Sequence, residues 1–200
     1  MKKATSLGLP VAILLALSLL VSSCATRTVA PATVERAPYV DEPQAVIVQE
    51  IRELIVERED ENIDFIIDSE GNMRLRATII FRANTADFTG LRPEVVASNA
   101  VSLNHVAEIL RRFSHYNVLI EGNANPTSPP GPQHDREEPA LKQISEQRAF
   151  RVFEELSRRG VALNRKTVTG VGTIRPLFPY DDYVNNWRNR RVEFILIRRN

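Results

Sequence analysis

The sequence predicts an α+β fold, a two-layer sandwich with helices packed on one face of a mixed sheet. Three observations carry this. Residues from Arg74 to Phe81 alternate, with Leu75, Ala77, Ile79 and Phe81 set against Arg74, Arg76, Thr78 and Ile80, the period of two of a half-buried strand. Two stretches, Pro93 to Phe113 and Ile144 to Gly160, carry apolar residues at helical spacing. From the second strand of a hairpin onward the order reads strand, helix, strand, helix, strand, strand, which suits helices laid over one sheet.

A chain of 200 residues has room for one sizeable domain and appendages. Its 26 basic and 25 acidic side chains leave a net charge of +1, so no long-range field draws it to nucleic acid. Aromatic residues are few, which argues against base stacking as well.

Residues 1–23 read as a secretory leader. Lys2 and Lys3 precede an apolar run from Leu7 to Val21, which falls short of the ~20 residues of a spanning helix and is broken by Gly8 and Pro10. Leu20-Val21-Ser22-Ser23-Cys24 resembles a bacterial lipobox and contains the only cysteine of the chain. The resemblance implies cleavage before Cys24 and acylation of its thiol and new amino terminus. Each buried CH₂ of such chains adds ~0.8 kcal/mol of membrane affinity. Ala25 stands where bacterial sorting would place Asp for inner-membrane retention, which points to the outer membrane. Pro31, Pro38 and Pro43 interrupt residues 24–43, so this stretch reads as a semi-extended tether that reaches up to ~60 Å.

Within an extension over residues 44–73, Val48, Ile51 and Ile55, flanked by Ile47 and Leu54, predict a short amphipathic helix that ends in the charge run Glu57 to Glu61. A strand competes over Ala45 to Val48. Ile63 to Ile67 predicts a strand, Asp68 to Asn72 a turn, and Arg74 to Phe81 the second strand of a hairpin. In the helix from Pro93 to Phe113, Val96, Leu103, Val106, Leu110 and Phe113 face inward, and Pro93 suits the first turn.

Asn117 to Glu121 reads as a short strand closed by Gly122. The prolines of Asn123 to Glu138 predict a surface loop, after which Pro139 opens the next helix. In that helix Ala149, Val152, Phe153 and Leu156 form the buried stripe, Glu146, Gln147, Glu154, Glu155 and Arg158 the polar side, and Gly160 the stop. Arg148, near its start, is expected to be braced by the stripe yet to face outward. Thr167 to Thr169 and Val192 to Ile197 complete the strands, with a bend at Gly170-Val171-Gly172.

Five motifs resemble the OmpA-like (peptidoglycan-associated lipoprotein) domain family. Phe81-Arg82-Ala83-Asn84-Thr85-Ala86 resembles its F-D-x-N-x-A, and Ile120-Glu121-Gly122-Asn123-Ala124-Asn125 its I-E-G-H-T-D. Ile144-Ser145-Glu146-Gln147-Arg148-Ala149 resembles L-S-x-x-R-A, Gly170 and Gly172 with Pro176 resemble G-x-G-x-x-x-P, and Asn189-Arg190-Arg191-Val192-Glu193 matches N-R-R-V-E. The resemblance implies a domain over residues 74–200 that binds the diamino acid of the peptidoglycan stem peptide without covalent chemistry. A carboxylate there takes the ligand ammonium and an arginine forks onto its carboxylate. By resemblance Asn125, Arg148 and Arg191 are the ligand-binding residues and Cys24 is the lipidation site. Arg190, with Asp181 and Asp182 nearby in sequence, is expected to be structural and to pair with one of them.

The resemblance thus implies an outer-membrane lipoprotein that faces the periplasm and tethers the envelope, with membrane lipid and an envelope protein as further partners. Asn125 in place of the family's Asp, Arg82 in place of its acidic residue, and the long proline-rich loop between Asn125 and Arg148 support an alternative, a scaffold or protein-interaction module of the same fold that has lost wall binding; Asn123 stands where the family has His. Arg82, if near the ammonium site, would repel it.

No cofactor and no metal are expected, because His105, His115 and His134 are scattered without ligand spacing. No nucleophile has a base at motif spacing, so an enzyme is not expected. Trp187 is either a platform for carbohydrate or stem peptide, or a packing anchor.

Overall fold

The computed structural model describes residues 43–82 and 84–199. The expected leader, Cys24 and nearly all of the tether lie outside the described residues. The elements are α1 (Gln44–Arg58), β1 (Ile63–Ile67), β2 (Met73–Ala77), α2 (Pro93–Arg112), β3 (Tyr116–Gly122), α3 (Pro132–Arg158), β4 (Lys166–Gly170) and β5 (Val192–Arg198). They form a five-stranded mixed sheet in the order β1-β2-β5-β3-β4, antiparallel except for the parallel pair β3 and β4. The fold is the α+β sandwich the sequence predicts.

Alternation along the strands divides the sheet into two unlike faces. Leu75, Val118, Ile120, Val192, Phe194 and Leu196 join the core with Ile47 and Ile51 of α1, Leu103, Val106 and Leu110 of α2 and Ala149, Val152 and Leu156 of α3. Opposite them, Arg74, Arg76, Glu121, Arg191 and Glu193 lie on the other face, where alternate positions carry charge.

The hairpin turns at Asp68, whose carboxylate accepts from the amides of Glu70 and Asn72 and from Arg74 Nε at 2.6 Å. The ladder of β2 stops at Ala77, before the Phe81 the sequence suggests, and 78–81 continue without regular pairing. Pro93 occupies the first turn of α2 as expected, but Val96 is exposed. Gly160 follows the cap of α3 with φ +79°, the left-handed stop its position predicts.

The largest departure is the start of α3. The expected loop over Asn123 to Glu138 ends at Pro132, and Pro139 lies inside a 27-residue helix instead of opening it. An interior proline disfavours a helix by ~3 kcal/mol. Tertiary and local contacts offset this: Glu137 accepts from Gln133 Nε2 at 2.9 Å and from the hydroxyls of Thr127 and Ser128, and Glu138 holds Thr173 N at 3.1 Å. His134 is therefore helical as well, with Nε2 3.1 Å from Thr173 Oγ1.

Two neighbouring cations close the other ends of the helices. Arg165 donates to the carbonyls of Leu110, Phe113 and Tyr116 at the end of α2. Lys166 Nζ donates to Ser157 Oγ at 2.8 Å, Val161 O at 3.1 Å and Phe153 O at 3.3 Å, and lies 4.4 Å from the centre of the Phe153 ring. Burial, and then the charge of Arg165, push the Lys166 ammonium down to about 8.

Candidate functional site

The site forms where the N-terminal half of α3 crosses the ends of β3 and β4. Glycine makes that crossing possible. A Cβ on Gly122 would stand 1.9 Å from Ser145 O, and one on Gly170 would stand 2.4 Å from Glu146 N. Ser145 Oγ locks the crossing, accepting from Gly172 N at 3.0 Å and donating to Lys142 O at 2.7 Å. The serine and the two glycine motifs thus meet as one contact, which fixes the next turn of α3 and the residue on it, Arg148.

Arg148 does not face outward as its sequence position suggests. It is 6% exposed, and its guanidinium reaches across to the 82–85 segment. Nε donates to Thr85 O at 3.0 Å and Nη2 to Arg82 O at 3.4 Å, and the Phe81 ring lies under it with the centre 5.3 Å away. Nη1 has no hydrogen-bond partner among the described residues, and no carboxylate pairs with Arg148 there. Burial, followed by the charge of Arg190, pushes its pKa down to about 10.

Arg148 lines a cavity of about 150 Å³ together with Thr78, Ile79, Ile80, Phe81, Trp187 and Arg190. Two guanidinium-bearing residues and an indole thus share it with the apolar Ile79, Ile80 and Phe81. No carboxylate lines it. Arg190 pairs with neither Asp181 nor Asp182: Asp182 instead holds Asn185, and Arg190 has no ion pair among the described residues. The Arg82 side chain is not part of the cavity. Its Nη1 would lie 3.6 Å from a Cβ on Gly90, and its charge acts on Asp87.

Asn125 is positioned by Asn189, which is fully buried. Asn189 Oδ1 accepts from Leu177 N at 2.7 Å and Phe178 N at 3.0 Å, while Nδ2 donates to Phe178 O at 2.9 Å and Asn125 Oδ1 at 3.0 Å. One oxygen lone pair of Asn125 is thereby engaged.

Arg191, the third expected ligand residue, is committed to the other face of the sheet. Its Nε and Nη2 bond Glu193 Oε1 at 2.7 and 2.6 Å, and Nη2 also donates to Arg175 O at 3.1 Å. Glu193, 1% exposed, also accepts from Arg74 Nη1 at 3.0 Å. Despite burial, these arginines hold the Glu193 carboxyl below its usual range. Arg175 closes the cluster on Glu121 Oε2 at 2.7 Å.

No known family model matches the chain, and no curated protein matches it by sequence. Solved structures do. A putative MotB like protein from Desulfovibrio vulgaris is 27% identical with a TM-score of 0.63, over 78% of this chain and 94% of that one. The cell wall anchor of the T6SS from Pseudomonas aeruginosa gives 19% and 0.55, over 74% and 97%. The periplasmic domain of Helicobacter pylori MotB gives 18% and 0.55, over 72% and 83%. The fold is OmpA-like.

All five motifs of the OmpA-like domain lie at or beside this site. Phe81 floors the cavity, Gly122 and Gly170 admit α3, Ser145 locks it, and Asn189 holds Asn125. Of the cavity residues, the sequence points only to Arg148 as a ligand residue; it suggests a structural pairing for Arg190 and leaves Trp187 between platform and anchor. At 39% exposure and on the cavity rim, Trp187 is open to a ligand, although the Arg188 guanidinium lies 5.5 Å from its ring centre. Among the described residues no group of three or more potential metal-ligating side chains is present, and no helix is long and apolar enough to cross a membrane.

Proposed function

We propose that this chain is an envelope protein whose OmpA-like domain holds peptidoglycan non-covalently, with Arg148 receiving a carboxylate of the stem peptide. One observation carries the reading: a buried guanidinium with a free Nη1, held by two backbone carbonyls and paired with no carboxylate among the described residues, lines a small cavity. A guanidinium in a partly dry site forms strong charge-assisted bonds to carboxylates. The likeness to a cell wall anchor is in keeping with this. Arg191 belongs to the supporting ion cluster in this reading, and Asn125, held by Asn189, is not among the residues that line the cavity.

The same proposal takes residues 1–23 as a leader, Cys24 as the acylated residue, residues 24–43 as a tether, and the outer membrane as the anchor site, with the domain in the periplasm. The lipobox resemblance supports this part. The scaffold alternative draws on Asn125, whose oxygen is already shared with Asn189.

The test is co-sedimentation of the full chain, in non-ionic detergent, with purified sacculi. The wall reading expects binding that falls at least about tenfold in Arg148→Ala and partly returns in Arg148→Lys, with circular dichroism confirming that both variants fold. Wild-type chain left in the supernatant would favour the scaffold.

A further inference from the structure

Arg148 and Arg190 share one cavity, and neither has a carboxylate partner among the described residues. Two like charges facing one space without a counter-ion are an unfavourable arrangement that a bound anion relieves. The effect is felt within the protein, since Arg190 contributes to the lowered proton affinity of Arg148 after burial. A ligand ammonium would find the opposite conditions. No acidic side chain lines the cavity.

We propose that the cavity selects an acidic peptide end, one or two carboxylates with no free ammonium beside them, over the zwitterionic end of a diamino acid. That this end belongs to wall peptide rests on the reading above. The charge selectivity itself is set by the two guanidinia. Arg148 donates to one carboxylate oxygen through Nη1. Arg190, on the exposed rim, meets the second negative charge or the outer oxygen of the first.

Pimelate and meso-diaminopimelate separate these cases, because they share a seven-carbon dicarboxylate chain and differ by two ammonium groups. Trp187 is the only tryptophan of the chain and sits on the cavity, so its emission reports occupancy directly. The full chain in non-ionic detergent is titrated with each acid at constant ionic strength, with calorimetry as a second measure. Pimelate is expected to bind at least about tenfold more tightly than diaminopimelate. Arg190→Gln should weaken pimelate by a similar factor and level the preference. Equal or tighter binding of diaminopimelate by the wild-type chain overturns the proposal, and so does the absence of any response to either acid. Sacculus co-sedimentation run in parallel keeps the two readings apart. A pimelate preference without sacculus binding upholds the charge selectivity and removes the wall, whereas sacculus binding with a diaminopimelate preference does the reverse.

Discussion

Asn189 donates from Nδ2 to Asn125 Oδ1 at 3.0 Å, and the direction of that bond is fixed by the rest of the network. Asn189 Oδ1 faces two backbone amides, those of Leu177 and Phe178, so the atom turned toward Asn125 must be the donor. A carboxylate at position 125 would accept the same bond.

It follows that Asn125→Asp folds with little change, within about 0.5 kcal/mol by denaturant titration, as a replacement that keeps its acceptor. Asn189→Ala leaves two amides and a carbonyl of the 177–178 segment without partners. It should lower stability by about 1 to 3 kcal/mol and speed amide exchange at Leu177 and Phe178.

Arg191 and Arg148 are expected to fail differently. Arg191→Met removes one cation from a buried cluster and leaves the Glu193 carboxylate short of charge, which destabilises by about 3 to 5 kcal/mol when a pair is truncated. Arg74 Nη1, at 3.0 Å from Glu193 Oε2, moderates the loss. The folded fraction of Arg191→Met should still sediment with sacculi at wild-type affinity, whereas Arg148→Ala should fold and not bind. Loss of binding by well-folded Arg191→Met would return Arg191 to the ligand site.

Gly122→Ala and Gly170→Ala place a methyl group into the backbone of α3, at 1.9 Å from Ser145 O and 2.4 Å from Glu146 N. Backbone cannot turn aside as a side-chain tip can, so each should reach or exceed about 3 kcal/mol, the upper end for overpacking. Gly71→Ala meets nothing within 4 Å and has only its φ of +82° against it. Its loss should stay near 1 to 2 kcal/mol in the same unfolding titrations.

Lys166 predicts an alkaline rise in stability. Its folded pKa of about 8 lies below the ordinary 10.5, so between those values the unfolded chain binds a proton that the folded one has released. Unfolding takes up a proton in that window, and raising the pH from about 8 to 10.5 therefore stabilises the fold. The penalty is fully present below about pH 8. Arg at the same position stays charged throughout. The difference in unfolding free energy between wild type and Lys166→Arg should grow in favour of wild type across that window, and a flat difference would refute the assignment.

Local rules gave the elements and their stops. The Asp68 turn, Pro93 in the first turn of α2 and Gly160 after α3 each follow from chemistry within a few residues. The start of α3 was misread because Pro139 is a strong local signal, and what overrides it, the hold of Glu138 on Thr173 and of Thr127 and Ser128 on Glu137, joins segments that one-dimensional reading does not bring together. The inward turn of Arg148 escaped for the same reason, since its partners are carbonyls of the 82–85 segment. The fate of Arg191 left a trace. Arg191, just before β5, and Glu193 within it are two apart in extended chain, hence on the same face, beside the alternating arginines Arg74 and Arg76. Arg190 left none, because its position on the cavity rim depends on how the 173–191 segment returns to the sheet.

The glycine crossing under α3 divides the site by what can vary. The crossing itself is main chain against main chain, with no side chain on either glycine to exchange for another, so a lineage meeting a different ligand cannot reshape that support without losing the helix. Adaptation is left to the exposed residues of the cavity, Trp187 and Arg190, where a single codon alters what is admitted and the crossing does not register the change.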